Sequence, residues 1–208
     1  MSREHAVHVV PTLLARAGRL VAPLTGGWPA CLAARAANRL GFGRMASACV
    51  GAVDFRLDMT DYFEGCMAQH CYEPEMSRVM RRILGPGDTY VDVGAQLGYT
   101  AALAAQAVGP DGCLLLFEPD PRTAAQLESL AALHAAQPAV MPRVHFVPCA
   151  CSDRQSQIGF AVLGRVGWST AVGCARYDRV IDRIMVPAVV IDDELESRGI
   201  DSVRLVKI

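Results

Sequence analysis

Val91-Asp92-Val93-Gly94-Ala95-Gln96-Leu97-Gly98-Tyr99-Thr100 decides how the 208-residue chain reads. The stretch opens on Thr89 to Val93, a short β-branched run of the kind that fills a buried strand. It closes on Tyr99 to Val108, an Ala-rich helix ended by Gly109-Pro110-Asp111-Gly112. A strand therefore turns into a helix here. Gly94 lets the chain bend sharply without a Cβ clash, and Gly98 lets the start of the helix pack close to a ligand and the sheet. The N–H groups of the loop and of the first helical turn then face whatever lies over the sheet edge.

Outward from this junction the grammar repeats. Cys113 to Phe117 reads as a second strand, Pro121 to Ala136 as a helix with Pro in its first turn, and Val144 to Pro148 as a third strand. Strand–helix alternation with short connections implies an α/β fold, a doubly wound, mostly parallel Rossmann-like sheet. Further β character follows near 156–163, 168–173 and 184–191. A short helix, Asp192 to Arg198, is capped by Asp192-Asp193 and ended by Gly199, and a last strand runs from Val203 to Ile208. The chain stops within that strand, so we expect a truncated sheet. Upstream, helices are expected near 12–22 and 30–40, then an extended stretch from Ala48 to Met59. Thr60 and Asp61 cap a following helix, with Glu64 as capping-box partner, and Glu75 to Leu84 is another helix. The expected organisation is a helical N-terminal extension over 1–45 and a ligand-binding domain over 46–208.

Composition sets the outer limits. The chain is 52% hydrophobic and 20% charged, enough apolar surface for a sizeable core. Twenty basic residues against twenty-one acidic ones give a net charge of −1, which argues against a strongly basic nucleic-acid binder. Eight cysteines, at 31, 49, 66, 71, 113, 149, 151 and 174, show no Cys-x-x-Cys spacing. They read as free thiols in a reducing compartment, hence a cytoplasmic protein. Glu4, Pro11, Arg16, Arg19 and Pro23 interrupt any secretory signal or membrane span near the start. Arg16, Arg19, Arg35 and Arg39 in an Ala/Leu background suit a membrane surface or transit segment. A helical cap on the main domain is the preferred reading.

Two ligand classes use such a loop. A dinucleotide needs Gly-x-Gly-x-x-Gly, because the second Gly admits the pyrophosphate. That position is Gln96 here. S-adenosylmethionine has no phosphate and needs room only for a methionine moiety and a ribose, so Asp-x-Gly-x-x-x-Gly favours it over NAD. Phe117-Glu118-Pro119-Asp120-Pro121 ends the next strand, with Glu118 twenty residues after Gly98. A carboxylate there can accept hydrogen bonds from two vicinal ribose hydroxyls. After the third strand, Pro148 to Asp153 can flank an adenine and bond its amino group. The candidate cofactor-binding residues are thus Asp92, Gly94, Ala95, Gln96, Gly98, Tyr99, Thr100, Glu118, Pro119, Asp120, Ser152 and Asp153. Alone, each segment also reads as an ordinary turn.

These segments resemble the FkbM-like family of class I S-adenosylmethionine-dependent methyltransferases. The likeness runs over roughly residues 50–208. It is carried by Tyr72 to Glu75, Gly85 to Asp88, Val91 to Thr100, Phe117 to Pro121, Cys151 to Asp153, Ile191 to Leu195 and Arg204 to Ile208. The resemblance implies methyl transfer from S-adenosylmethionine, often to an oxygen of a small molecule or sugar. The family often has Asn where this chain has Gln96, and continues past its Lys-Ile strand with Asp-x-Glu-Gly. Two other readings stay open: a truncated, non-catalytic relative acting as a binding module, and a nicotinamide-dependent oxidoreductase.

The chain has no Gly-x-Ser-x-Gly elbow and no Gly-x-x-x-x-Gly-Lys-Ser/Thr loop, which argues against a serine hydrolase and nucleoside triphosphate use. His5 and His8 lack the partners of a metal site. His70, His134 and His145 are available as a base, and Trp168 with Ser169 and Thr170 could line an acceptor pocket. None of these identifies the acceptor or the oligomeric state.

Overall fold

The computed structural model describes residues 3–164, 170–171 and 180–208. Contacts divide the chain into two units, Met1–Arg78 and Val79–Ile208. Trp168, Ser169 and Cys174 lie outside the described residues, and so does the side chain of Thr170.

The first unit begins with helices α1 (Arg3–Thr25) and α2 (Trp28–Arg39). The extended stretch expected after them is an antiparallel hairpin, β1 (Met45–Val50) and β2 (Val53–Asp58), joined at Gly51-Ala52. Val53, Phe55 and Leu57 alternate inward along β2 while Asp54 and Arg56 face out, the pattern of a half-buried strand. The boundary expected near residue 45 therefore falls at the start of this hairpin, inside the first unit. Helix α3 (Tyr62–Ala68) follows, and Asp61 caps it as expected: its Oδ1 accepts from Phe63 N at 2.8 Å and Glu64 N at 3.1 Å. The reciprocal capping-box bond is replaced. Glu64 Oε2 accepts instead from Asp58 N at 2.7 Å, tying the end of β2 to α3. The division between units falls within α4 (Pro74–Ile83).

The second unit is mixed α/β. Its strands β3 (Thr89–Val93), β4 (Cys113–Phe117) and β5 (Arg143–Val147) alternate with α5 (Tyr99–Val108) and α6 (Ala124–Ala136). The chain then forms β6 (Ala150–Cys151), β7 (Ser156–Leu163), β8 (Thr170–Ala171), β9 (Val180–Val189), α7 (Ile191–Ser197) and β10 (Leu205–Lys207). The central sheet has the order β10-β3-β4-β5 and every pairing in it is parallel. Val91, Leu115, Phe117 and Val147 form one core with Ile191 and Leu195 of α7. Residues of the opposite parity on β3 meet α5, since Thr100 Oγ1 donates to Asp92. The sheet is thus covered on both faces, as its near-continuous apolar strands require.

Three details differ from the sequence reading. Helix α6 begins at Ala124 because Thr123 N closes a turn onto Asp120 O at 3.1 Å. Asp192 and Asp193 lie inside the first turn of α7, where negative charge favours a helix N-terminus, and Val190 holds the cap position without a side-chain bond. The β segments after Asp153 build a second sheet, ordered β6-β9-β7-β8, in which β7 pairs antiparallel with β9. Among the described residues no helix is long and apolar enough to cross a membrane.

Candidate functional site

The loop after β3 is shaped by bonds to its neighbour strand. Gly94 N and Ala95 N both donate to Phe117 O, at 2.9 and 3.0 Å, folding the loop over the end of β4. Gln96 takes a left-handed conformation (φ 53°), uncommon outside glycine. Its N–H donates to Glu118 Oε2 at 2.9 Å. The other carboxylate oxygen, Oε1, accepts from Asp120 N at 2.8 Å. Two backbone donors thus fix Glu118 at the end of β4, one strand from the glycine bend. Each oxygen retains acceptor capacity beyond its single bond. Burial pushes the Glu118 carboxyl above its ordinary value, opposed by the Asp120 and Gln96 amides.

The two loop glycines do different work. Gly94 has φ 76°, and a Cβ built on it would meet nothing within 4 Å. Gly98 has φ 81°, but a Cβ there would lie 3.1 Å from Leu127 and 3.2 Å from Leu130 of α6. The absence of a side chain at Gly98 lets the start of α5 approach α6 closely.

A cavity of about 270 Å³ opens beside Gly94 and Glu118. Its floor is made by Val93 and Phe117 at the carboxyl ends of β3 and β4, the end of a parallel sheet where ligands bind. Cys149, Ala150 and Cys151 form one side, and Ile158 and Phe160 of β7 close another. Burial, then Cys149 and Glu194, push the Cys151 thiol up to about 12, so it acts as an apolar wall.

Of the sequence candidates, Gly94, Glu118 and Pro119 line this cavity. Ala95, Tyr99 and Thr100 are buried behind the loop. Asp92 is fully buried and belongs to a polar cluster of its own. Its Oδ2 accepts from Thr100 Oγ1 at 2.7 Å and Tyr90 OH at 3.1 Å. Its Oδ1 lies 3.0 Å from Lys207 Nζ, an ion pair without the alignment of a hydrogen bond. Lys207 also donates to Gly94 O at 2.8 Å. Burial pushes the Asp92 carboxyl up, and Lys207 is the largest opposing influence. Asp120 is held by Arg122, whose guanidinium lies 2.6 Å from its carboxylate. Ser152 and Asp153 bond one another at 3.2 Å at the protein surface, beyond the cavity wall.

Sequence reasoning missed Lys207, Ile158 and Phe160. One signal pointed to Lys207: it is the sole lysine in a chain with nineteen arginines. The three candidate bases do not line the cavity. His134 Nδ1 is 2.8 Å from Met141 O, His145 sits within β5, and His70 belongs to the first unit. No group of three or more metal-ligating side chains occurs among the described residues.

No family model and no curated protein matches the chain. Among solved structures, the chain is similar to the crystal structure of a "putative rRNA-methylase" from Clostridium thermocellum. The match has 22% identity and a TM-score of 0.31, over 36% of this chain and 40% of that one. The chain thus spans less than half the length of that protein.

Proposed function

We propose that the second unit binds S-adenosylmethionine and transfers its methyl group to an oxygen of a small molecule or sugar, in the manner of the FkbM-like methyltransferases. The observation that carries the reading is the position of Glu118: a buried carboxylate held by Gln96 N and Asp120 N at the mouth of the glycine bend. Its remaining lone pairs suit the two hydroxyls of a ribose. The apolar cavity beside it suits the flat purine, and the open space over Gly94 leaves room for a nucleoside against the backbone.

The loop amides support this donor over a dinucleotide. A pyrophosphate site requires backbone N–H groups aimed at the anion. Here Gly94 N and Ala95 N go to Phe117 O, and Gln96 N goes to a carboxylate. Glu118 would repel a phosphate at that amide, whereas a sulfonium nucleoside brings no such charge. When bound, S-adenosylmethionine supplies a methyl group already activated on a positively charged sulfur. The protein's own task is then orientation and exclusion of water. Gly94 and Glu118 would hold the nucleoside, while Lys207 fixes the loop beneath it.

Calorimetry tests the reading. S-adenosylhomocysteine is expected to bind the wild-type chain and NAD is not. Heat with NAD alone overturns it.

A further inference from the structure

In the first unit, α1 turns small residues inward and large ones outward. Pro11, Ala15, Gly18 and Ala22 are buried. Gly18 packs so closely that a Cβ would come within 2.8 Å of Ala30 on α2. Leu13, Ala17, Leu20, Val21 and Leu24 recur at helical spacing on the opposite side and are exposed, Leu20 at 83% and Leu24 at 90%. Trp28, at the start of α2, is half exposed and stacks on Tyr62 at 4.5 Å. An apolar stripe of large residues facing water is unusual for a helix of a globular unit.

The charges of the same segment indicate its cover. Between Glu4 and Asp54 the sequence has five arginines, at 16, 19, 35, 39 and 44, and no acidic residue; Arg44 pairs with Asp58, beyond the segment, at 3.2 Å. Arg16 and Arg39 are exposed. Arg19 and Arg35 are anchored through Nε to Ala68 O and Thr60 O. A second copy laid against this face would bring two such cationic sets together with no carboxylate from the segment to answer them. An anionic lipid surface answers both needs: headgroups for the arginines, and an acyl boundary for Leu20, Leu24 and Trp28.

We infer that α1 docks the protein, lying flat, on membranes rich in anionic phospholipid. This goes beyond the proposed methyl transfer and does not depend on it. The test is co-sedimentation of the full chain with vesicles of phosphatidylcholine alone or mixed with phosphatidylglycerol. Binding is expected to the mixed vesicles, with weaker binding as salt is raised. Leu20→Glu with Leu24→Glu, both fully at the surface, should lower partitioning at least about tenfold with unchanged circular dichroism. Arg16→Glu with Arg39→Glu should lower it on mixed vesicles as well. Failure of the wild-type chain to bind mixed vesicles overturns the inference. So does undiminished binding by the leucine variant. A wild-type dimer in light scattering that the leucine variant turns into a monomer also overturns it, and assigns the face to a second copy.

Discussion

Asp92 and Glu118 are both buried carboxylates at the carboxyl ends of neighbouring strands, yet their surroundings are opposite. Asp92 is enclosed by Tyr90, Thr100 and Lys207, and it faces α5. Glu118 is held by two backbone amides, and it borders a cavity. A carboxylate enclosed by an ammonium and two hydroxyls keeps the structure in place. One left with spare acceptor capacity beside open space can meet a ligand. Under the proposed function the contrast makes Asp92 a positioning residue and Glu118 the group offered to the ligand, although both come from strand ends that look alike in sequence.

Removing the partner of the enclosed acid should have the largest effect. Lys207→Met leaves Asp92 buried without its counter-charge and should lower stability by about 3 kcal/mol, read as a shift in the urea midpoint. Adding Asp92→Asn to Lys207→Met should recover most of that loss, because no charge is then stranded. If Lys207→Met unfolds at the wild-type midpoint, the enclosed side of the contrast fails.

Glu118→Ala should act on the ligand instead. We expect S-adenosylhomocysteine affinity to fall by about 2 kcal/mol in calorimetry, roughly the worth of hydrogen bonds to a charged acceptor. Unchanged affinity would remove Glu118 from the site. The glycines sharpen the same division. Gly98→Ala forces a side chain against Leu127 and Leu130 at a left-handed φ, and should cost about 1.5 kcal/mol of stability. Gly94→Ala meets no neighbour, so it should cost about 1 kcal/mol through backbone conformation alone. Its ligand affinity should fall more than that of Gly98→Ala, by the same calorimetric measure.

The smallest expected effect is with pH. The Glu118 carboxyl is raised in the folded state, chiefly by burial. Its contribution to stability is therefore fully present below the ordinary glutamate value of about 4.3 and is lost as pH rises through the raised value. The stability of wild type relative to Glu118→Ala should be greatest in acid and decline toward neutrality, as read from paired denaturation curves.

Much of the central sheet was legible because its signals are local. Short apolar strands, an Ala-rich helix and Gly-Pro punctuation placed β3, α5 and β4 at the residues where the structure has them. The place of Glu118 after β4 was legible for the same reason: it follows a short apolar strand at a fixed distance from the glycine loop. What escaped depends on partners distant in sequence or on competition between neighbours. Lys207 reaches Gly94 across 113 positions. Arg122, two residues on, takes the Asp120 carboxylate, a pairing that the motif does not specify. The hairpin at Gly51-Ala52 carries only a weak turn signal, so two strands merged into one extended stretch. The wall formed by Ile158 and Phe160 depends on β7 pairing with β9, which no local pattern specifies.

The solitary lysine has a practical consequence. An amine-directed acylating reagent has two targets in this chain, the α-amino group and Lys207 Nζ. The second is mostly hidden, at 17% side-chain exposure, between a carboxylate and a peptide oxygen. The extent of acylation at that one nitrogen, weighed by mass spectrometry, would therefore report whether Lys207 is held against Asp92 and Gly94, without any assay of turnover.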